Sequence, residues 1–180
     1  NSNRSHIVKL PEQVMIRNMV TTNQYLLLSA PPEKEVAFQE LKAKHGSVYA
    51  FHGSPVENWH SIVRRGLKNA SNSNLMIHGA AHGSGIYMSP HSTTAYSYSN
   101  YASSCSSNPT ERSKWFMCLA LCEVIDNGIN KSGDIWVVPQ EDHVVTRLFF
   151  KYSLGTSGPN VTADALVSDI HRALEFFGSL

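Results

Sequence analysis

The chain has 180 residues, 42% of them hydrophobic and 16% charged, with a formal net charge of +1. That balance suits one packed domain and excludes wholesale disorder, and with Lys and Arg scattered along the chain it gives no electrostatic case for a nucleic-acid-binding surface. Three cysteines, Cys105, Cys118 and Cys122, at no framework spacing argue against a secreted disulfide scaffold, and no apolar run approaches the ~20 residues that cross a membrane.

No secretory leader opens the sequence, and the start at Asn1 rather than Met reads as a domain cut from a longer chain. Residues 1–46 read as helical. Pro11 suits a first-turn position ahead of Val14, Met15 and Met19, and a short apolar patch over 24–29 is closed by Pro31-Pro32. A second helix is expected over 33–45, with Ala37, Phe38 and Leu41 on one face and Gly46 as its stop. Residues 48–51 form a short apolar run, read as a buried strand that delivers His52-Gly53 at its C-terminal end. A helix over 57–65 turns Trp59, Ile62 and Val63 inward and ends at Gly66.

Residues 68–84 read as a polar loop, 86–88 as a short strand, 93–101 as a helix and 102–113 as an exposed loop. Strands follow over 115–125, 135–138 and 143–152, with Asn127-Gly128 and Ser132-Gly133 punctuating the gap between the first two. Cys118 and Cys122 then share a strand face as core thiols. No Cys/His pair follows at zinc-ligand spacing, so no metal is expected. After a turn over 155–159, Thr162 reads as an N-cap with Asp164 in the first turn. Leu166, Ile170, Ala173, Leu174 and Phe177 form one apolar stripe, and Gly178 ends the helix. Helices first and strands later imply an α+β fold with a largely antiparallel sheet.

Three places could carry chemistry. In His52-Gly53-Ser54, an imidazole can bond a hydroxyl, and a residue without Cβ lets a flat amide approach the backbone. Tyr87, after Gly83-Ser84-Gly85, offers an aromatic face for stacking, and Tyr98 an opposite wall if the intervening helix folds back. The pair Glu141-Asp142 sits just before a strand, where a carboxylate could stabilise positive charge building on a sugar ring. Each has a bland reading as well: a strand turning over glycine, a core tyrosine in a strand, a solvated acidic turn.

The first two segments occur together and in order, at the spacing of one enzyme superfamily's nicotinamide pocket. HGSPVENWHSIVRRGLK (52–68) and GSGIYMS (83–89), with Tyr98 at the spacing of a stacking tyrosine, resemble the catalytic domain of the poly(ADP-ribose) polymerases, the diphtheria-toxin-like ADP-ribosyltransferases. NRSHIVKLP (3–11), ENWHSI (57–62), NAS (69–71), IHGAA (77–81), ALCEVI (120–125) and DIWVVP (134–139) look like the branch of vertebrate members six and eight. Members of that branch are regarded as mono-ADP-ribosyltransferases. The branch's long insert is represented here only by the polar loop at 102–113.

The resemblance implies an α+β ADP-ribosyltransferase fold with a split, mostly antiparallel β core and peripheral helices over residues 1–180. Its parts are an N-terminal helical part (1–46), an NAD-binding core (47–152) and a C-terminal helix (160–178). It implies NAD+ as co-substrate, no metal, and a protein acceptor, with the chain itself one candidate. No membrane and no nucleic acid is expected as partner, and the setting is intracellular, cytoplasmic or nuclear. By resemblance the catalytic residues are His52, Tyr87 and Asp142. His52, Gly53, Ser54, Lys68, Tyr87 and Tyr98 would bind the cofactor, with Ser54 on the second ribose and Lys68 on the diphosphate or adenosine end.

Two departures matter. The third position of the family's triad is not glutamate: Asp142 is one methylene shorter, and a register shift by one would bring Glu141 or His143 there instead. The family glutamate also activates the acceptor ribose in chain growth, so its absence favours a single transfer. Ala95 stands where many members have a serine that bonds the carboxamide, a loss of about 0.5–1.5 kcal/mol. Two other readings stay open: a non-catalytic NAD- or ADP-ribose-binding module, and a transferase acting on nucleic-acid ends, against which the near-neutral charge counts. Residues 1–46 show no autoinhibitory helical domain of the DNA-dependent members, so activation by DNA breaks is not expected.

Overall fold

The run FMCLALCEVI, apolar but for Glu123, becomes β5 (Phe116–Ile125), a central strand buried on both faces in the computed structural model of the chain. The structure describes residues 7–28, 32–69, 82–99, 116–153 and 155–178. The sequence expectations for 70–81 and 100–115, including Cys105, lie outside these residues.

On one face of β5, Leu119 and Leu121 join Leu148, Phe150 and Tyr152 in the larger core. On the other, Cys118, Ala120, Cys122 and Val124 face Trp59, Ile62, Ile86 and Met88. Both thiols are fully buried, and burial pushes each up to about 12, so they stay protonated.

β5 lies between β3 (Ser47–Gly53) and β8 (Val144–Ser153) in an antiparallel five-stranded sheet of order β1-β2-β8-β5-β3. Here β1 is Ile7–Lys9 and β2 is Gln24–Leu27. A second antiparallel sheet has the order β4-β7-β6, with β4 at Ile86–Met88, β6 at Asn130–Ser132 and β7 at Ile135–Val138. A single bridge, Phe51 to Ser89, joins the end of β3 to the end of β4. The split antiparallel core is therefore as expected, and the strands at 86–88 and 135–138 fall where the sequence put them.

The N-terminal part differs from the helical reading. Among the described residues of 7–46 only α1 (Pro32–His45) is α-helical; Pro11 leads into one 3-10 turn (Glu12–Val14), and β1 and β2 pair with each other. The physical reason is local. Asn18 and Val20 hold left-handed backbone (φ 62 and 57), which no helix continues through. The buried Gln24 side chain bonds both the N–H and the C=O of Ile16, pinning the intervening loop. Val14, Ile16 and Met19 reach the core from this wrapped segment.

α1 is fastened by charge rather than by an apolar stripe alone. Phe38 is buried, and Glu35 pairs with Arg147 at 2.8 Å; Arg147 in turn holds the buried Glu123 at 2.9 Å, which also takes Lys42 and the Ser47 hydroxyl. Arg147 sits where the β5–β8 register slips, beyond Leu121, an extra residue that re-aims the side chain.

α2 (Trp59–Arg65) follows a 3-10 turn at Val56–Asn58, and α3 is Ser92–Ser97. α4 (Val167–Phe176) is preceded by a 3-10 turn, Asp164–Leu166. Thr162 bridges His91 rather than capping this helix. Leu166, Ile170, Ala173 and Leu174 enter the main core, and Asp169 takes the Arg17 N–H and guanidinium, so α4 packs on this domain. Residues 141–143 form a 3-10 turn before β8. β6, with the sequence NKS, has no apolar period to announce it and exists by pairing with β7 across Gly133, where φ is 57. Among the described residues no helix is long and apolar enough to cross a membrane.

Candidate active site

β3 carries His52 and Gly53 to the point where the two sheets meet, and the Phe51–Ser89 bridge holds the end of β4 beside them. Two hydrogen bonds make that junction, Phe51 N–H to Ser89 O at 2.7 Å and Ser89 N–H to Phe51 O at 2.9 Å. A cleft of about 140 Å³ opens there, lined by His52, Gly53 and Ser54 from one sheet and Tyr87, Met88 and Ser89 from the other. α3 closes it with Ala95 and Tyr98.

Gly53 is the tightest point. A Cβ built on it would lie 1.8 Å from the Ala95 carbonyl oxygen, so α3 rests directly on the glycine backbone. Ser99 fixes the end of this element, its hydroxyl donating to Cys118 O at 2.7 Å. Ser92 fixes the start, donating to Pro159 O and accepting from Val161 N–H.

His52 Nδ1 lies 2.8 Å from the Tyr87 carbonyl oxygen. A carbonyl only accepts, so Nδ1 carries the proton and Nε2 of the neutral ring is an acceptor. Burial pushes the imidazole below its usual range, with the bond to Tyr87 opposing, and the ring is neutral at pH 7. Ser54 is buried; its hydroxyl accepts from Asn58 Nδ2 at 2.9 Å and its carbonyl from the Trp59 indole at 2.9 Å. The Tyr87 hydroxyl donates to Gly83 O at 2.9 Å and accepts from His82 N–H at 3.1 Å, tying the ring to the segment ahead of β4.

Five of the expected site residues, His52, Gly53, Ser54, Tyr87 and Tyr98, thus line one cleft. Lys68 does not: its ammonium is 2.6 Å from Glu141, which also accepts the Asn69 N–H. Asp142, expected there from the sequence, is not among the described residues that line it either. Asp142 is exposed on the 3-10 turn that packs against α1. Glu141 is engaged with Lys68, and His143 is buried with Nδ1 3.2 Å from Asn127 O.

The residue that enters the cleft from this part of the chain is Ile135. The register explains it. β7 runs antiparallel to β4 with Ile86 opposite Val138 and Met88 opposite Trp136, so Ile135 falls at the Ser89 end, by the cleft. Each strand residue advances the chain by about 3.3 Å, so the turn after Val138 lies at the opposite end of the small sheet. Sequence reasoning missed Ile135 because its place depends on which strand pairs with β4. The only available sign was the short DIWVVP run itself. Among the described residues, no carboxylate lines the cleft.

Comparison with known proteins adds an independent line. A family model described as the poly(ADP-ribose) polymerase catalytic domain matches residues 27–145. Protein mono-ADP-ribosyltransferase PARP8 of Homo sapiens is 47% identical over 183 residues, covering 88% of this chain and 21% of that protein. The Mus musculus protein of the same name is 47% identical over 183 residues, covering 88% of this chain and 22% of its own length. Protein mono-ADP-ribosyltransferase PARP16 of Mus musculus is 33% identical over 90 residues, 50% of this chain and 26% of that protein. The chain therefore spans about a fifth of the length of the PARP8 relatives it matches.

Proposed function

The chain belongs to the poly(ADP-ribose) polymerase catalytic-domain family, and on that premise we propose that it takes NAD+ as co-substrate and transfers one ADP-ribose to a protein side chain, releasing nicotinamide. The observation that carries this reading is the convergence of His52 and Gly53 from β3, Tyr87 from β4 and Tyr98 from the end of α3 on one cleft. Gly53 would hold the carboxamide through its backbone, where the absence of a Cβ lets a flat group approach. Tyr87 and Tyr98 would flank the nicotinamide ring. The His52 Nε2 lone pair would accept a hydrogen bond from a ribose hydroxyl, and Ser54 would add a contact to the second ribose. Lys68 serves the diphosphate or adenosine end by exchanging its Glu141 carboxylate for a phosphate.

In the reaction the bond between the ribose anomeric carbon and the nicotinamide nitrogen breaks. The electron pair leaves with neutral nicotinamide, and the acceptor nucleophile closes the new bond. Ile135 in place of a carboxylate supports transfer to a protein side chain over chain growth, because it offers nothing to activate an acceptor ribose. The reading treats residues 1–180 as one catalytic unit with the donor site within 47–152, braced by α4. Acceptors, including the chain itself, and an intracellular setting, cytoplasmic or nuclear, belong to the same proposal; the free thiols of Cys118 and Cys122 accord with such a setting.

A second reading, a module that binds NAD+ or ADP-ribose without turnover, is favoured by one observation, the cleft's lack of a carboxylate among its described lining residues. Incubation with labelled NAD+ separates the two. Label on protein together with free nicotinamide, both lost in Tyr87→Ala, supports transfer. Saturable binding with neither product supports the module, and no binding at all sinks both.

A further inference from the structure

The segment that follows β3 divides its residues between two depressions. Ser54, Pro55 and Asn58 line the cleft, whereas Val56, Trp59 and His60 line an open groove of about 770 Å³ between α2 and the sheet. The groove's floor is aromatic. Tyr25 from β2 and Trp59 from α2 both pack on Phe149 of β8, with ring centroids 6.2 and 5.0 Å away, and Phe116 of β5 completes it.

The groove's rim is cationic, with Lys9, Arg64 and Lys151, and among the described residues no carboxylate lines it. Among the described residues none of these three has an ion-pair partner, although each Asp or Glu in an observed pair is already engaged elsewhere. Lys151 rests its ammonium on the Phe116 ring, 4.3 Å from the centroid. A concave apolar floor beside three cations, unpaired among the described residues, has a definite complement.

We propose that this groove docks an acidic amphipathic segment of a partner protein, with apolar side chains on the aromatic floor and carboxylates on Lys9, Arg64 and Lys151. A second copy of the chain fits poorly, since an isologous contact would set the same cations against each other. A single-stranded nucleic acid would need open ring faces to stack on. Here Tyr25 and Trp59 meet Phe149 at interplanar angles of 55° and 68°, so these rings offer no parallel set of faces for successive bases. A flat anionic membrane does not enter a concave groove. The inference is independent of the NAD+ chemistry, and its test involves no turnover.

A random peptide library displayed on phage is panned against the 180-residue chain, and enriched peptides are titrated by fluorescence anisotropy. The expected result is enrichment of sequences that interleave Glu or Asp with Leu, Ile or Phe. Their affinity should fall about tenfold or more in the Lys9→Glu/Arg64→Glu chain and fall with added salt, as contacts between opposed charges require. Both substituted side chains are exposed, and circular dichroism checks that the variant folds. Enrichment of neutral or basic sequences, or binding indifferent to the double substitution, overturns the proposal. So does tighter binding of a labelled oligouridylate at the groove, or sedimentation showing a dimer that the double substitution abolishes. Failure of nicotinamide release in the labelled-NAD+ experiment leaves this result standing, and the reverse also holds.

Discussion

Replacing Gly53 by alanine tests the junction on which the proposed site depends. Gly53 is not among the glycines with positive φ, so alanine can adopt its backbone conformation and the effect is steric. The new methyl would sit 1.8 Å from the Ala95 carbonyl oxygen and 2.8 Å from the Ser99 hydroxyl. Carbon and oxygen settle at about 3.3 Å, so α3 must retreat by about 1.5 Å, and what it meets is backbone rather than a side chain that can swing away. Overpacking of this kind costs about 1–3 kcal/mol. Straining the Ser99 to Cys118 bond adds about 1 kcal/mol, and the stiffer unfolded chain returns about 0.4–1 kcal/mol. The net is a loss of about 2 kcal/mol, or a fall of about 4–8 °C in Tm for a chain of this size. Because α3 carries Ala95 and Tyr98, binding of nicotinamide should weaken at the same time by tenfold or more. Scanning calorimetry and a nicotinamide titration read both quantities. An unchanged or raised Tm with binding intact would refute the close packing of α3 on the end of β3.

Tyr87→Phe keeps the ring and deletes the hydroxyl's two bonds to the 82–83 backbone; at about 0.5–1.5 kcal/mol each, KM for NAD+ should rise about tenfold while the fold stays within a few degrees of its original Tm. Asp142→Ala should leave nicotinamide release within about twofold of the parent, because that carboxylate is exposed on the turn beside α1; a loss of a hundredfold or more would return Asp142 to the site. Acid should destabilise the fold through Glu35, Glu123 and Asp169. Burial pushes these carboxyls up, but bonds from Arg147 to Glu35, from Ser47 and Lys42 to Glu123, and from Arg17 to Asp169 outweigh it and leave each below its ordinary value. Depressed folded pKa values mean that the unfolded chain takes protons first. This stability is therefore present above about pH 4.5 and is lost as pH falls through the lower folded values. Urea midpoints from pH 6 downward should drop less steeply in Glu123→Gln, which starts about 1.5–3 kcal/mol less stable at neutral pH.

Legibility in the sequence followed the range of the interactions involved. β5 was readable because a strand buried on both faces needs a nearly continuous apolar run, and residues 116–125 supply one broken only by Glu123. α1 was readable from Ala37, Phe38 and Leu41 on one face and from Gly46, whose φ of 74 stops it. That His52, Gly53, Tyr87 and Tyr98 share a cleft was legible from two short motifs, 52–68 and 83–89, and from the spacing of Tyr98. The N-terminal wrap was not. Val14, Met15 and Met19 have helical spacing, but the backbone reversals at Asn18 and Val20 and the inward amide of Gln24 decide the outcome, and neither has a periodic signature. Arg147 shows the same limit: nothing local marks it as the buried partner of Glu123 and Glu35, which lie on other elements.

For the proposed reaction, a cleft lined by Ile135 rather than by a carboxylate bears on the rate to be expected. A carboxylate about 4 Å from a developing ribose cation contributes about 4 kcal/mol at the effective dielectric of a partly buried site. Its absence corresponds to about a thousandfold in rate. The described groups that line the cleft are neutral: a neutral imidazole presenting a lone pair, hydroxyls, amide backbone and phenol rings. Such a lining binds a planar amide well and a full positive charge weakly. Yet nicotinamide is itself cationic while attached to ribose and departs neutral, so breaking the bond moves charge along the donor rather than creating it. Weak stabilisation of that displaced charge slows the step without forbidding it. The cleft's composition therefore argues for slow single transfer, with turnover set by how well the acceptor side chain is presented, and it gives the groove on the other side of Trp59 a reason to hold a protein chain near the donor.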